Sequence, residues 1–244
     1  MRRKAVVLLN IVSLAMFMCL VGNAKALYIE TFTGSNGDWL APTVNDSGGS
    51  TFPSASYVAT GGNPNGHIEG TVSTAADRLY VFQPNYTPNP YSTYGNLTGL
   101  FLTTDFKKVS GSVTGPTGAK VRFYIGNYSG SIYNYFVTTN SYAWDPNTNT
   151  TWTTHVVPMT ASAGLSWPNQ NAGTITFAQM LTSYNDIGLV FADGFSNNQT
   201  LGFSGTAILG VDNFGSVVPL PGELLLLGAG LFRLTVYGRR KVSS

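Results

Sequence analysis

The side chains of this 244-residue chain best suited to acid–base or metal chemistry are His67, His155 and a thin set of carboxylates. Neither histidine belongs to a His-Glu-x-x-His helix that would hold zinc. No Gly-x-Ser-x-Gly elbow and no glycine-rich phosphate loop is present. Glycoside hydrolysis needs two facing carboxylates, and residues 27–217 contain just two glutamates, Glu30 and Glu69. A hydrolase would have to use a pair such as Asp186 and Asp193, so a non-catalytic protein is expected. His67 is expected in a loop or at a strand edge, and His155 on an outward strand position opposite Val156. Asp145-Pro146-Asn147-Thr148-Asn149 starts like a calcium loop, but Thr150 replaces the turn glycine and Val156 the bidentate glutamate, which leaves an Asx-rich hairpin loop.

Aromatic side chains offer different chemistry, because a flat ring can stack on the C–H face of a sugar. Trp144 and Trp167 lie in polar, proline-containing stretches, and Tyr128, Tyr133 and Tyr135 flank a turn. These five are the candidate glycan platform, with Asn127 and Asn134 for the hydroxyls. Trp39 and Trp152 are expected to plug the core.

The elements that must position these residues are strands. Ala119, Val121, Phe123 and Ile125 alternate with Lys120, Arg122 and Tyr124, giving one buried and one wet face. The turn Gly115-Pro116-Thr117-Gly118 predicts a hairpin between residues 109–113 and 119–126. Further strands are expected at 131–138, 151–157 and 207–214, and Ile187 to Ala192, apolar on both faces, reads as a central strand. One segment departs from period two: Phe177, Met180, Leu181 and Tyr184 follow i, i+3, i+4, i+7, and Thr176 with Gln179 fits a capping box. The expected fold is all-β, a single antiparallel sandwich over residues 27–217 with one short helix.

Both termini read as addresses. Arg2, Arg3 and Lys4 precede an apolar run, and Ala24-Lys25-Ala26 fits a small-x-small cleavage site, so residues 1–26 form a signal peptide with an apolar signal helix. The C-terminal stretch places Val218-Pro219-Leu220-Pro221 before an apolar run, then Arg239-Arg240-Lys241. That run, expected to be helical, is uncharged over the nine residues Leu224 to Phe232, where a lasting span needs about 20. Between the ends, residues 27–217 keep five basic side chains against ten acidic ones, a net charge of −5, and lack cysteine, since Cys19 lies in the leader. A basic nucleic-acid footprint and a disulfide framework are both excluded for this body.

With its Pro pair, apolar run and basic cluster, the segment 218–244 resembles the PEP-CTERM sorting signals in their Val-Pro-Leu-Pro variant, with Leu220 where the commoner form has Glu and Arg233 inside the apolar stretch. The resemblance implies export through the secretion machinery, transient retention in the inner membrane, processing by an exosortase, and delivery to the surface or biofilm matrix of an exopolysaccharide-producing Gram-negative bacterium. Val218, Pro219, Leu220, Pro221, Arg239, Arg240 and Lys241 would carry that recognition. In the body, the order of Trp39, the Gly62–Ile68 stretch, Trp152, the short helix and Val211-Asp212-Asn213-Phe214 is similar to the laminin IV type A domain and to galactose-binding-like jelly rolls. That resemblance implies a structural calcium between the first and last strands, held by Glu30 and Asp212 with carbonyls of Gly61 to Asn63. A glycan-binding module and a structural or adhesive matrix protein are the two open readings, with exopolysaccharide the expected partner of the first.

Overall fold

The computed structural model describes residues 28–44, 50–73, 78–84, 90–115, 118–129, 132–160, 175–192 and 204–218. In chain order these form β1 (Tyr28–Glu30), β2 (Thr43–Val44), β3 (Ser50–Thr51), β4 (Ser56–Val58), β5 (His67–Val72), β6 (Arg78–Gln83), α1 (Pro90–Tyr94), β7 (Phe101–Thr114), β8 (Lys120–Ser129), β9 (Ile132–Val137), β10 (Thr153–Pro158), α2 (Phe177–Met180), β11 (Asp186–Ala192) and β12 (Ser204–Val217). The signal peptide, the segment from Pro219 onward and Trp167 lie outside the described residues. Among the described residues no helix is long and apolar enough to cross a membrane.

Two antiparallel sheets face each other. The first runs β10–β7–β12–β5–β4, with β1 also paired to β12, and the second runs β3–β2–β6–β11–β8–β9. Period-two alternation decides what lies between them: Ala207, Leu209 and Val211 of β12, and Val121, Phe123 and Ile125 of β8, are all buried. Aromatic rings fill the middle, with Trp39 edge-on to both Phe32 and Phe214 at 5.4 and 5.0 Å between centroids. The chain is an all-β sandwich.

Strand β11 is buried at every position and sits between β6 and β8, as its two apolar faces require. The short helix also forms where expected. Thr176 caps α2, accepting from the Gln179 backbone N–H while the Gln179 side chain accepts from the Thr176 N–H. Met180, Leu181 and Tyr184 then enter the core. Thr176→Ala removes one half of this reciprocal cap and is expected to cost about 1 kcal/mol in urea denaturation.

The hairpin expected at 109–126 is corrected. β7 pairs with β10 and β12 in the first sheet, whereas β8 pairs with β9 and β11 in the second. The Gly115–Gly118 turn, closed by the Gly118 N–H to Gly115 O bond, therefore arches from one layer to the other. Val113 before it and Ala119 after it are both buried, so the two strands contribute to one core from opposite sides. The loop at Asp145 makes a similar crossing from β9 to β10. It is an Asx-capped 3-10 turn and not a hairpin loop, with Asp145 Oδ1 accepting from the Asn147 N–H at 2.8 Å.

Candidate functional site

The outer face of the first sheet brings together His67, Glu69, Asp105, Lys107, Trp152 and Asp212. Its floor is set by register: Gly210 of β12 stands between Glu69 of β5 and Lys107 of β7 as cross-strand partner of each. Inward Leu209 and Val211 force Gly210 to point outward, where a Cβ would come within 3.0 Å of the Trp152 ring and 3.2 Å of His67 and Val109. Glycine is therefore what lets an indole lie low on the sheet at this point. Trp152 precedes β10 and, by extension of the Thr153–Phe106 pairing, falls opposite Lys107. Its ring is held on three sides. The indole N–H donates to Gly61 O at 2.6 Å, His67 meets the ring edge-on at 5.2 Å, and the Lys107 ammonium sits over it, 5.8 Å from the centroid. Such a cation over an indole face is attractive and leaves the ammonium wet. The expectation that Trp152 plugs the core is thus corrected: it is partly exposed on the outer surface.

Beside this ring, the loop carrying Gly61 to Asn63 is fastened by two buried carboxylates. Asp212 accepts from the backbone N–H of Asn63 at 2.6 Å and of Asn213 at 2.8 Å. Its cross-strand partner Asp105 accepts from Asn63 Nδ2, Asn213 Nδ2 and Thr154 Oγ1 at 2.9, 2.7 and 2.5 Å. A β-bulge after Asp212, with Asn213 at φ 48°, turns these groups toward the loop, and asparagine tolerates that left-handed backbone better than most residues. Burial pushes the Asp212 carboxyl up to about 6, opposed by the two N–H bonds and reinforced by the neighbouring Asp105 charge. His67 completes the cluster through Nε2 to Glu69 Oε1 at 3.0 Å.

Glu30 and Asp212, expected as calcium ligands, lie on paired strands β1 and β12. Glu30 accepts the Tyr28 hydroxyl at 3.0 Å, and Asp212 is engaged by N–H donors as above. Of the loop carbonyls expected beside them, Gly61 O accepts from the Trp152 indole and Asn63 O from Asn213 Nδ2. From this loop it is the Asn63 N–H that meets Asp212. Among the described residues no three His, Cys, Asp or Glu side chains are grouped to hold a metal ion.

Trp144 is not a free platform. One face stacks on His155 at 4.0 Å with the rings 8° from parallel, and its edges meet Phe106 and Phe123 of the core. His155 is likewise corrected, since it turns in against Trp144 while its neighbour Val156, 48% exposed, faces out. Burial pushes the His155 imidazole down to about 4, with the Asp105 charge opposing, and its Nε2 pairs with Asn149 Oδ1 at 3.1 Å. Tyr128 and Tyr133 are cross-strand partners on β8 and β9. Tyr135 belongs to a second apolar cluster on the outer face of the other sheet, with Tyr80, Phe82, Tyr124 and Val190. Of the two asparagines offered for sugar hydroxyls, Asn134 is buried and Asn127 donates to Ser183 O. Asp186 is buried beside Tyr124, whose hydroxyl lies 3.4 Å away, and Asp193 lies outside the described residues.

No protein-family model matches the chain, and neither does any curated protein. Among solved structures, the L4b domain of human laminin alpha-2 is similar over 75% of this chain and 93% of its own, at 12% identity and a TM-score of 0.39. An exo-1,3/1,4-beta-glucanase from a Pseudoalteromonas species is similar over 81% of this chain at 9% identity and a TM-score of 0.36. The match covers 21% of that enzyme's length.

Proposed function

We propose that this protein is an exported, non-catalytic sandwich that binds polysaccharide at the cell surface or in the extracellular matrix, with Trp152 as its contact residue. The observation that carries the binding is the pinned, partly exposed indole over Gly210, with a carboxylate on one flank and an ammonium on the other. A sugar stacked on a ring already fixed by its own hydrogen bond loses little side-chain entropy on binding. Export is supported by the leader ending at Ala24-Lys25-Ala26 and by the PEP-CTERM-like ending, which together imply secretion, exosortase processing and an exopolysaccharide setting.

Affinity electrophoresis of the purified protein through gels containing bacterial exopolysaccharide tests the reading. Wild type should be retarded, and Trp152→Ala should run unretarded with an unchanged fold by circular dichroism. Trp144→Ala should keep retardation while melting at lower temperature, because its ring packs on Phe106 and Phe123. Failure of every polysaccharide to retard wild type, together with reversible self-association in ultracentrifugation, would replace this reading with a structural or adhesive matrix protein.

A further inference from the structure

We infer that the Trp152 face selects an acidic sugar, a uronate whose carboxylate is taken by Lys107; this rests on the polysaccharide-binding reading above. The register fixes the layout. Glu69, Gly210 and Lys107 form one cross-strand row over β5, β12 and β7, and two interstrand steps place the backbones of the two charged residues roughly 10 Å apart. A pyranose ring fits between them, stacked on the indole, with opposite charges at its two ends.

The two ends are not equivalent. Glu69 is already paired with His67 and is largely covered, with 18% of its side chain exposed, so it presents one remaining oxygen as a hydroxyl acceptor. Lys107 has no ion pair among the described residues, and its ammonium is engaged with the Trp152 ring. Asp105 lies two residues away on the same strand face, yet both its oxygens accept bonds from Asn63, Asn213 and Thr154. Lys107 is thus the available cation. A carboxylate arriving over the indole face exchanges a weak cation–π contact for a charge-assisted hydrogen bond. A neutral sugar offers the ammonium only hydroxyl oxygens, which accept from it without the second charge that makes the carboxylate bond the stronger one. Binding polarity follows as well: the acid group points toward β7, and the hydroxyls on the opposite side of the ring point toward β5.

The test uses the full purified chain, polygalacturonate oligomers, and the same oligomers after carboxyl reduction, in which each carboxylate has become a primary alcohol. Wild type should bind the acidic oligomers ~10-fold more tightly at low salt, and added salt should narrow the gap. Lys107→Gln should bring the acidic oligomers down to the level of the reduced ones, while Lys107→Arg should keep most of the preference. Equal wild-type affinity for the two oligomers, or a preference untouched by Lys107→Gln, overturns the uronate assignment. If both forms still bind and both are lost in Trp152→Ala, the platform reading survives that failure. Absence of binding to either form by wild type overturns the uronate assignment, and only a failure across other polysaccharides as well removes the platform.

Discussion

Replacing Trp39 by alanine is expected to lower the unfolding free energy by about 3–5 kcal/mol, a large part of the total for a domain of this size. Trp39 is completely buried, and its ring braces Phe32 on one side and Phe214 of β12 on the other. Phe214 in turn touches Phe123 of the second sheet, so the void would open where the two layers meet. The backbone of Trp39 also accepts from the Ala55 N–H at 2.8 Å, a bond that alanine can keep. The loss is therefore one of packing. Trp39→Phe is the matching control. The indole Nε1 is buried without a hydrogen-bond partner among the described residues, so losing it leaves no new unpaired group, and the cost should be at most half that of alanine. Urea denaturation at neutral pH measures both variants. A loss under about 1 kcal/mol for Trp39→Ala would mean that the ring is not a keystone of the core.

The second large effect is on acid stability, where two groups pull in opposite directions. Asp212 has its carboxyl raised to about 6 in the folded protein. The unfolded chain releases that proton near pH 4, so the folded state binds it more tightly, and Asp212 adds stability as pH falls through 6 toward 4. His155 is lowered to about 4, while the unfolded imidazole protonates near 6.5. It therefore removes stability as pH falls from 6.5 through 4. The windows overlap, and after a discount for solvent screening each is worth about 2 kcal/mol. The wild-type contribution of this pair should be nearly flat between pH 7 and 4. Asp212→Asn uncovers the histidine and should make stability fall on acidification, whereas His155→Gln uncovers the aspartate and should make it rise. The neighbouring ionisable groups, Asp105, His67 and Glu69, are common to both variants and cannot produce opposite slopes. Parallel pH profiles for the two variants would show that these groups do not titrate in this manner.

Much of the sandwich was legible because period two and capping are local. The two-faced burial of Ile187 to Ala192 and the Thr176–Gln179 box each act within a few residues, and the structure realises both, whereas the alternation through Ala119 to Ile125 gives the inward face correctly but not a wet outer one, since Arg122 and Tyr124 are buried there as well. Sheet membership is not local. Residues 109–113 and 119–126 carry correct strand patterns joined by a turn, yet nothing in alternation says whether a turn closes a hairpin or crosses between layers. The choice is made by the competing partners β10 and β12 on one side and β9 and β11 on the other.

The site was misplaced for a related reason. Trp152 was expected in the core and Trp144, in a polar proline-containing stretch, on a binding surface; in the structure Trp152 lies outward over Gly210, while Trp144, half-buried like it, packs against the core. The pattern held a usable signal. Trp152, Thr154 and Val156 share one parity, His155 and Val157 the other, and Val157 is the fully buried one. Gly210, alone among the inward and outward residues from Ala207 to Val211 in lacking a side chain, marks the place where something lies on the sheet. Asp105 carried no signal, since its meaning comes from Asp212 across the strand and Asn63 in a distant loop.

The most direct measurement is the set of tryptophan indole N–H resonances of the ¹⁵N-labelled protein, assigned by single Trp→Phe variants and followed during titration with polysaccharide oligomers. The Trp152 signal should move with saturation, because its N–H holds Gly61 O at the edge of the proposed contact face, while Trp39, fully buried, and Trp144, stacked on His155 and packed on Phe106 and Phe123, should stay in place. Saturable binding with Trp152 unmoved, or with shifts confined to the other indoles, would contradict the assignment of this face.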